Sequence, residues 1–207
     1  MSVDLTLERA ARAAGYRAVC GADEAGAGPL CGPVYAAAVI LPEDCTIDGL
    51  DDSKKLTEKK REALFDEICR AAAAYAVAWA DAAEIDATDI LSARLLAMQR
   101  AIDALAIPAE FALIDGNRDT GRTARIVTPH RCVVHGDGTS TSIAAASVLA
   151  KVSRDRYVTD VLDREYPQYG FAAHKGYGTK QHYAMLDRYG PCPAHRRSFL
   201  KTWEAGR

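Results

Sequence analysis

The run from Val34 to Leu41 (VYAAAVIL) is apolar from end to end and closed off by Pro33 and Pro42, so it reads as a strand. Arg17 to Glu24 (RAVCGADE) contains a shorter run of small residues that also reads as a buried strand, and the Gly-rich turn between the two predicts a hairpin. Tyr75, Val77 and Trp79 alternate with alanine, which fits a half-buried strand, and Phe111 to Ile114 and Cys132 to Val134 are short strands that run into glycine. Between these lie helical patterns. Thr57 is placed to cap a helix through about Ala73, with Leu64, Phe65 and Ile68 inward. Leu91, Leu95, Met98, Ile102 and Leu105 step by 4, 3, 4 and 3, and Pro108 stops that helix. A long helical stretch follows from about Ser142 to Glu165, and another near Lys180 to Arg188. Strands alternating with helices predict an α/β layer architecture with helices on both faces, and the hairpin makes the sheet mixed.

The 207 residues, 49% of them hydrophobic, suggest one domain with enough apolar surface for a sizeable core. A net charge of −2 excludes a uniformly basic nucleic-acid coat. The longest apolar run, Ala71 to Ala80, is ten residues and too short to span a bilayer. No signal peptide is visible at the N-terminus, so a soluble, cytoplasmic protein is expected. Six cysteines without a CxxC pair read as reduced, mostly buried small hydrophobes rather than zinc ligands. From His174 onward seven Lys or Arg stand against Asp187 and Glu204. From charge alone, a phosphate-rich partner and an ordinary solvated tail are equally open.

Acidic residues recur where an apolar strand gives way to glycine: Asp23-Glu24 before Ala25-Gly26, Asp115 before Gly116, and Asp137 between Gly136 and Gly138. Functional groups gather at strand ends in α/β sheets, so neighbouring strands would bring these four carboxylates together. Two bare carboxylates 4 Å apart repel by roughly 4 kcal/mol at an effective dielectric of 20, so such a cluster takes up protons or holds a cation. Oxygen ligands favour Mg²⁺ or Mn²⁺. Adjacent strand residues point to opposite faces, so Asp23 and Glu24 share one site only if the glycines after them allow a bulge or turn. The histidines lack zinc-ligand spacing, Gly26-x-Gly28 does not complete GxGxxG, and GxxxxGK[ST], GxSxG and HExxH are absent.

DEAGAGPLCGPV from Asp23, DSKKL at residues 52–56, LIDGN at 113–117, Gly136-Asp137 followed by SIAAASVLAKVSRD, then YPQYGF, HKGYGT and HRRSF occur in one order from about Gly21 to Phe199. In this series the chain resembles the ribonuclease HII family. The resemblance implies a ribonuclease H-like fold: a central five-stranded mixed sheet flanked by helices, with a small helical C-terminal extension. On that reading residues 1–207 are one catalytic domain, with a core at about 17–165 and a substrate-contacting extension at about 166–207.

The resemblance further implies endonucleolytic cleavage of the RNA strand of RNA–DNA hybrids, including single ribonucleotides embedded in duplex DNA. It implies 5′-phosphate and 3′-hydroxyl ends, dependence on Mn²⁺ or Mg²⁺, and action as a monomer. By motif match Asp23, Glu24, Asp115 and Asp137 are the catalytic, metal-binding carboxylates. Tyr177 matches a tyrosine that senses the junction between ribonucleotide and deoxyribonucleotide, and Lys54 a phosphate-contacting position. Two metal ions can clamp an in-line displacement by water, and backbone N–H groups of Gly26, Ala27 and Gly28 can approach the scissile phosphate and the 2′-hydroxyl. One departure stands out: the family's GRG loop is here Gly26-Ala27-Gly28, without the arginine. Activity is expected to survive because all four carboxylates are present. The alternatives are a related nuclease for another nucleic-acid structure, or a non-catalytic hybrid-binding module.

Overall fold

The computed structural model describes residues 3–51, 53 and 56–206. Its strands are β1 (Val19–Ala25), β2 (Val34–Ile40), β3 (Ala74–Ala80), β4 (Phe111–Asp115) and β5 (His130–Val133). Its helices are α1 (Thr6–Ala13), α2 (Glu58–Ala71), α3 (Ala82–Ala87), α4 (Ile90–Asp103), α5 (Thr141–Tyr157), α6 (Asp163–Glu165), α7 (Phe171–His174), α8 (Lys180–Tyr189) and α9 (Arg197–Ala205). The strands form one sheet in the order β3-β2-β1-β4-β5. β1 and β3 flank β2 antiparallel, while β4 runs parallel to both β1 and β5. The mixed sheet and the β1–β2 hairpin are thus as the sequence predicts.

Strand β2 is buried along its whole length because both of its faces are covered. Ala36 and Ala38 meet Ala93, Ala97 and Ala101 of α4 on one side. Ala37 and Val39 meet Ala144, Ala145 and Val148 of α5 on the other. Small side chains on both partners let helix and sheet approach closely. The closest approach is at Gly21 of β1, where a Cβ would lie 2.3 Å from the Ile143 backbone nitrogen. Only glycine fits there. Ser140 caps α5, its Oγ accepting from the Ile143 N–H at 3.2 Å, and Thr57 caps α2 as expected.

A third apolar cluster joins the last fifty residues to the β1–β2 turn: Leu30 and Cys31 pack with Val158, Leu162, Tyr169, Phe171, Leu186 and Leu200. The long helix read from Ser142 to Glu165 is interrupted, since Val158–Leu162 widens to a π turn before α6. On β3 the alanines, not the aromatics, carry the inner contacts on the α4 side, and Tyr75 and Trp79 are 43% and 52% exposed at this sheet edge. All six cysteines are free thiols, but only Cys20, Cys31 and Cys192 are buried, because Cys45, Cys69 and Cys132 lie on peripheral elements. Among the described residues no helix is long and apolar enough to cross a membrane.

Candidate active site

Parallel pairing brings two of the carboxylates together. The register of β1 on β4 runs to Ala22 opposite Ile114, so Asp23 and Asp115 follow side by side at the same end of the sheet. Asp23 lies two residues beyond Gly21, on the face where α5 packs, and Ser147 of α5 hydrogen-bonds its carboxylate. Ser147 Oγ is itself 2.7 Å from Ser53 Oγ. Asp23 is 3% exposed, and its Oδ1 accepts from the Glu24 N–H at 2.7 Å.

Burial, followed by the charges of Glu24 and Asp115, pushes the Asp23 carboxyl well above the ordinary carboxylate range. Hydrogen bonds from the Glu24 N–H and Ser147 pull the other way without cancelling this. The side chain is held beside two other acids in a place where its own charge is disfavoured.

Asp115 Oδ1 accepts from the Gly136 N–H at 2.8 Å and lies 3.4 Å from the Asp137 nitrogen. The short 3₁₀ turn Gly136–Gly138 is therefore docked on Asp115, and it carries Asp137 as a buried side chain. No bulge is present at Asp23-Glu24: both pair regularly with β2, opposite Ala37 and Ala36. Glu24 consequently faces the α4 side, where its Oε1 is 2.6 Å from Arg94 Nη2. Its charge still acts on Asp23 across the strand. Arg94 also lines a cleft with Asp115, Gly116, Asn117 and Arg118.

Beyond β1, the turn carrying Gly26, Ala27 and Gly28 leads past Tyr177. A Cβ on Gly28 would lie 3.7 Å from the Tyr177 ring, which is 44% exposed. The segment around Tyr177 is pinned to the β1–β2 turn, with the Leu30 N–H donating to the Gly176 carbonyl at 2.9 Å. Lys54 lies outside the described residues.

Four residues near these groups escaped the sequence reading: Arg94, Ser147, Arg154 and Arg196. A signal existed for two of them. Ile143, Ser147, Ala150 and Arg154 step by 4, 3 and 4, and all are buried on α5. A serine and an arginine on an otherwise apolar helical face mark polar work in the interior. Elsewhere Asp119, His130 and Cys132 cluster on the β5 edge, with His130 Nε2 in a 3.0 Å hydrogen bond with Asp119 Oδ2. No sequence spacing announced that group.

The donor set suits a hard divalent cation. Its oxygens come from carboxylates, and the buried Asp23 sits among like charges that a cation would relieve. A mixed sheet that presents converging acids at the junction of its antiparallel and parallel halves defines a ribonuclease H-like α/β protein. The sequence profile of ribonuclease HII matches residues 20–202, and the chain belongs to the ribonuclease HII family. It is 51% identical over 188 residues to the ribonuclease HII of Caldicellulosiruptor bescii, covering 91% of this chain and 89% of that one. Its identity to the Burkholderia thailandensis ribonuclease HII is 54% over 187 residues, 90% of this chain and 85% of the other. The crystal structure of ribonuclease H2 from Pyrococcus horikoshii superposes with a TM-score of 0.72 at 25% identity, covering 91% of this chain and 98% of that one.

Proposed function

We propose that this chain is an endonuclease that hydrolyses the RNA strand of RNA–DNA hybrids, including a single ribonucleotide within duplex DNA, leaving 5′-phosphate and 3′-hydroxyl ends. The observation that carries this reading is the side-by-side placement of Asp23 and Asp115 beside Glu24, with Asp23 buried and electrostatically strained.

Asp23, Asp115 and Asp137 would hold Mg²⁺ or Mn²⁺, and Glu24, which faces the other side of β1, would join them in a site for two ions only by leaving Arg94. A divalent cation there supplies Lewis acidity toward the phosphate and lowers the pKa of bound water. The protein's share is positioning. The Gly136 and Ser147 donors fix the Asp115 and Asp23 carboxylates, so little reorganisation is needed when a phosphate arrives. Arg94 holds Glu24 on its side of β1. The Gly26–Gly28 loop offers backbone N–H groups to the phosphate and the 2′-hydroxyl, the one local feature that separates RNA from DNA. The Tyr177 ring beside Gly28 packs against the sugar at the junction. Every residue invoked comes from one chain, so a monomer suffices. The six free thiols fit the cytoplasm.

The test is a metal titration of nicking on three substrates: a DNA duplex with one ribonucleotide, a continuous RNA–DNA hybrid and an all-DNA junction. Metal-dependent cutting of the first two and not the third is expected. Cutting of the all-DNA junction would point to a nuclease for another structure, and tight hybrid binding with no cutting in either metal to a binding module.

A further inference from the structure

Arg196 is fully buried, and all three arms of its guanidinium donate to backbone carbonyls of the β1–β2 turn. Nη2 reaches Gly26 O at 2.7 Å, Nη1 reaches Ala27 O at 3.0 Å and Nε reaches Gly32 O at 2.9 Å. Arg154, also fully buried, takes Pro33 O at 3.3 Å through Nε and Lys175 O at 3.1 Å through Nη1. A Cβ on Gly26 would lie 2.0 Å from Arg154 Nε. Two guanidinium groups thus draw the carbonyls of the loop inward.

That has a stereochemical consequence. In a trans peptide the C=O of one residue and the N–H of the next point in opposite directions. With the carbonyls of Gly26 and Ala27 turned in to Arg196, the N–H groups of Ala27 and Gly28 are turned out. Among the described residues neither of these N–H groups has an acceptor. Two successive outward N–H groups form an anion-binding concavity. Arg196 adds its charge from beneath. Burial, with Arg154 close by, lowers it only to about 9 against the opposing pull of groups that include Asp86, so it stays cationic at neutral pH.

We infer that Arg196 is the positioning residue that orients the Ala27 and Gly28 N–H groups toward the ribonucleotide and its phosphate, so that the loop discriminates RNA from DNA without a basic side chain of its own. This rests on the proposed hybrid-cleaving function and names the residue that sets its substrate preference. Arg196 acts through the backbone and touches no reacting atom. Lysine cannot replace it, because a point charge lacks the planar fork that engages Gly26, Ala27 and Gly32 together.

The experiment measures binding of a labelled DNA duplex carrying one ribonucleotide and of the same duplex in all-DNA form, with chelator present so that nothing is cut. The readout is the ratio of the two affinities. Partial unfolding lowers both affinities alike and leaves that ratio unmoved. Wild type is expected to favour the ribonucleotide duplex by about tenfold, the worth of one well-placed neutral hydrogen bond to the 2′-hydroxyl. Arg196→Lys and Arg196→Gln are each expected to bring the ratio close to one. A variant that keeps the wild-type ratio overturns the inference and leaves the proposed function standing. A wild-type protein that binds both duplexes alike also overturns the inference, and the proposed function then stands or falls on the metal titration of nicking alone. Should both variants fail to fold, amide NMR of the wild type decides: the Ala27 and Gly28 signals shift on adding the ribonucleotide duplex, and unchanged signals overturn the inference.

Discussion

Asp23 and Asp115 stand side by side, each one residue past the last paired position of two adjacent parallel strands. Their mutual repulsion, added to burial and to Glu24, means that the ionised Asp23 destabilises the metal-free fold. A group whose carboxyl pKa is raised by folding stabilises the native state while protonated and loses that contribution as pH rises through the raised value. Asp23→Asn is therefore expected to abolish cleavage by several orders of magnitude while stabilising the metal-free protein by about 1–2 kcal/mol near neutral pH. Urea unfolding of both proteins across pH checks this: the variant's advantage grows with rising pH and vanishes in acid. Wild-type cleavage rates in the variant would place the chemistry elsewhere.

Arg94 neutralises Glu24 at 2.6 Å, so its removal leaves two neighbouring acids on β1 without that counter-charge. Arg94→Gln is expected to cost about 1–3 kcal/mol in chelator, the range for breaking a largely buried pair that solvent still reaches. Added Mn²⁺ should raise the variant's melting temperature more than that of wild type, because the cation takes over part of the arginine's work. Equal increments in both proteins would show that Glu24 does not feel the metal.

His182 and His195 form a directed chain of hydrogen bonds ending at the Tyr177 backbone. His182 Nδ1 lies 2.9 Å from Tyr177 O, the two Nε2 atoms are 3.0 Å apart, and His195 Nδ1 accepts from the Cys192 N–H at 3.0 Å. The pattern closes only with both rings neutral, His182 donating through Nδ1 and His195 through Nε2. Burial lowers both to about 4. The unfolded chain takes up protons first as pH falls, so this contribution is complete above about pH 6.5 and drains away toward pH 4. Stability is expected to drop by about 3 kcal/mol for the first ring to charge. Urea midpoints at several pH values in the Asp23→Asn background, which removes the opposing effect of Asp23, check it. A flat midpoint over that window would rule the neutral pair out.

Tyr177 offers an exposed ring beside Gly28. Tyr177→Ala is expected to lower the preference for a single ribonucleotide over a continuous hybrid by about tenfold, consistent with the loss of one aromatic stacking contact, and Tyr177→Phe to retain most of it. Competition cleavage of the two substrates in one tube measures the ratio directly. If phenylalanine behaves like alanine, the hydroxyl and not the ring carries the selectivity.

Several elements were legible because they depend on short-range patterns. The 4-3-4-3 spacing from Leu91 located α4, and Pro33 and Pro42 bracketed β2. The Thr57 cap fixed the start of α2. Other elements offer less, since even α3, which opens on an Asp81–Glu84 capping box, has no apolar repeat behind it. Helix α3 is six residues long, and α9 takes its place from a docked Leu200 and from the Asp86 carboxylate, which accepts from the Arg197 and Ser198 N–H groups. Strand β5 begins at His130, two residues before its apolar part, because backbone pairing with Ala112 defines it.

The sequence alone determined which acids end which strands, and the order of the motifs determined the family. Convergence of those acids was decided only by tertiary structure, through the parallel register of β1 on β4 and the docking of the Gly136 turn on Asp115. Among the partners of the site, Ser147 and Arg154 stood out along the chain only as polar residues on an apolar face of α5, and Arg94 and Arg196 were invisible. Each works through a contact between residues distant in sequence, as Arg196 does in reaching back to Gly26, and such contacts are chosen by packing and burial, on which local periodicity is silent.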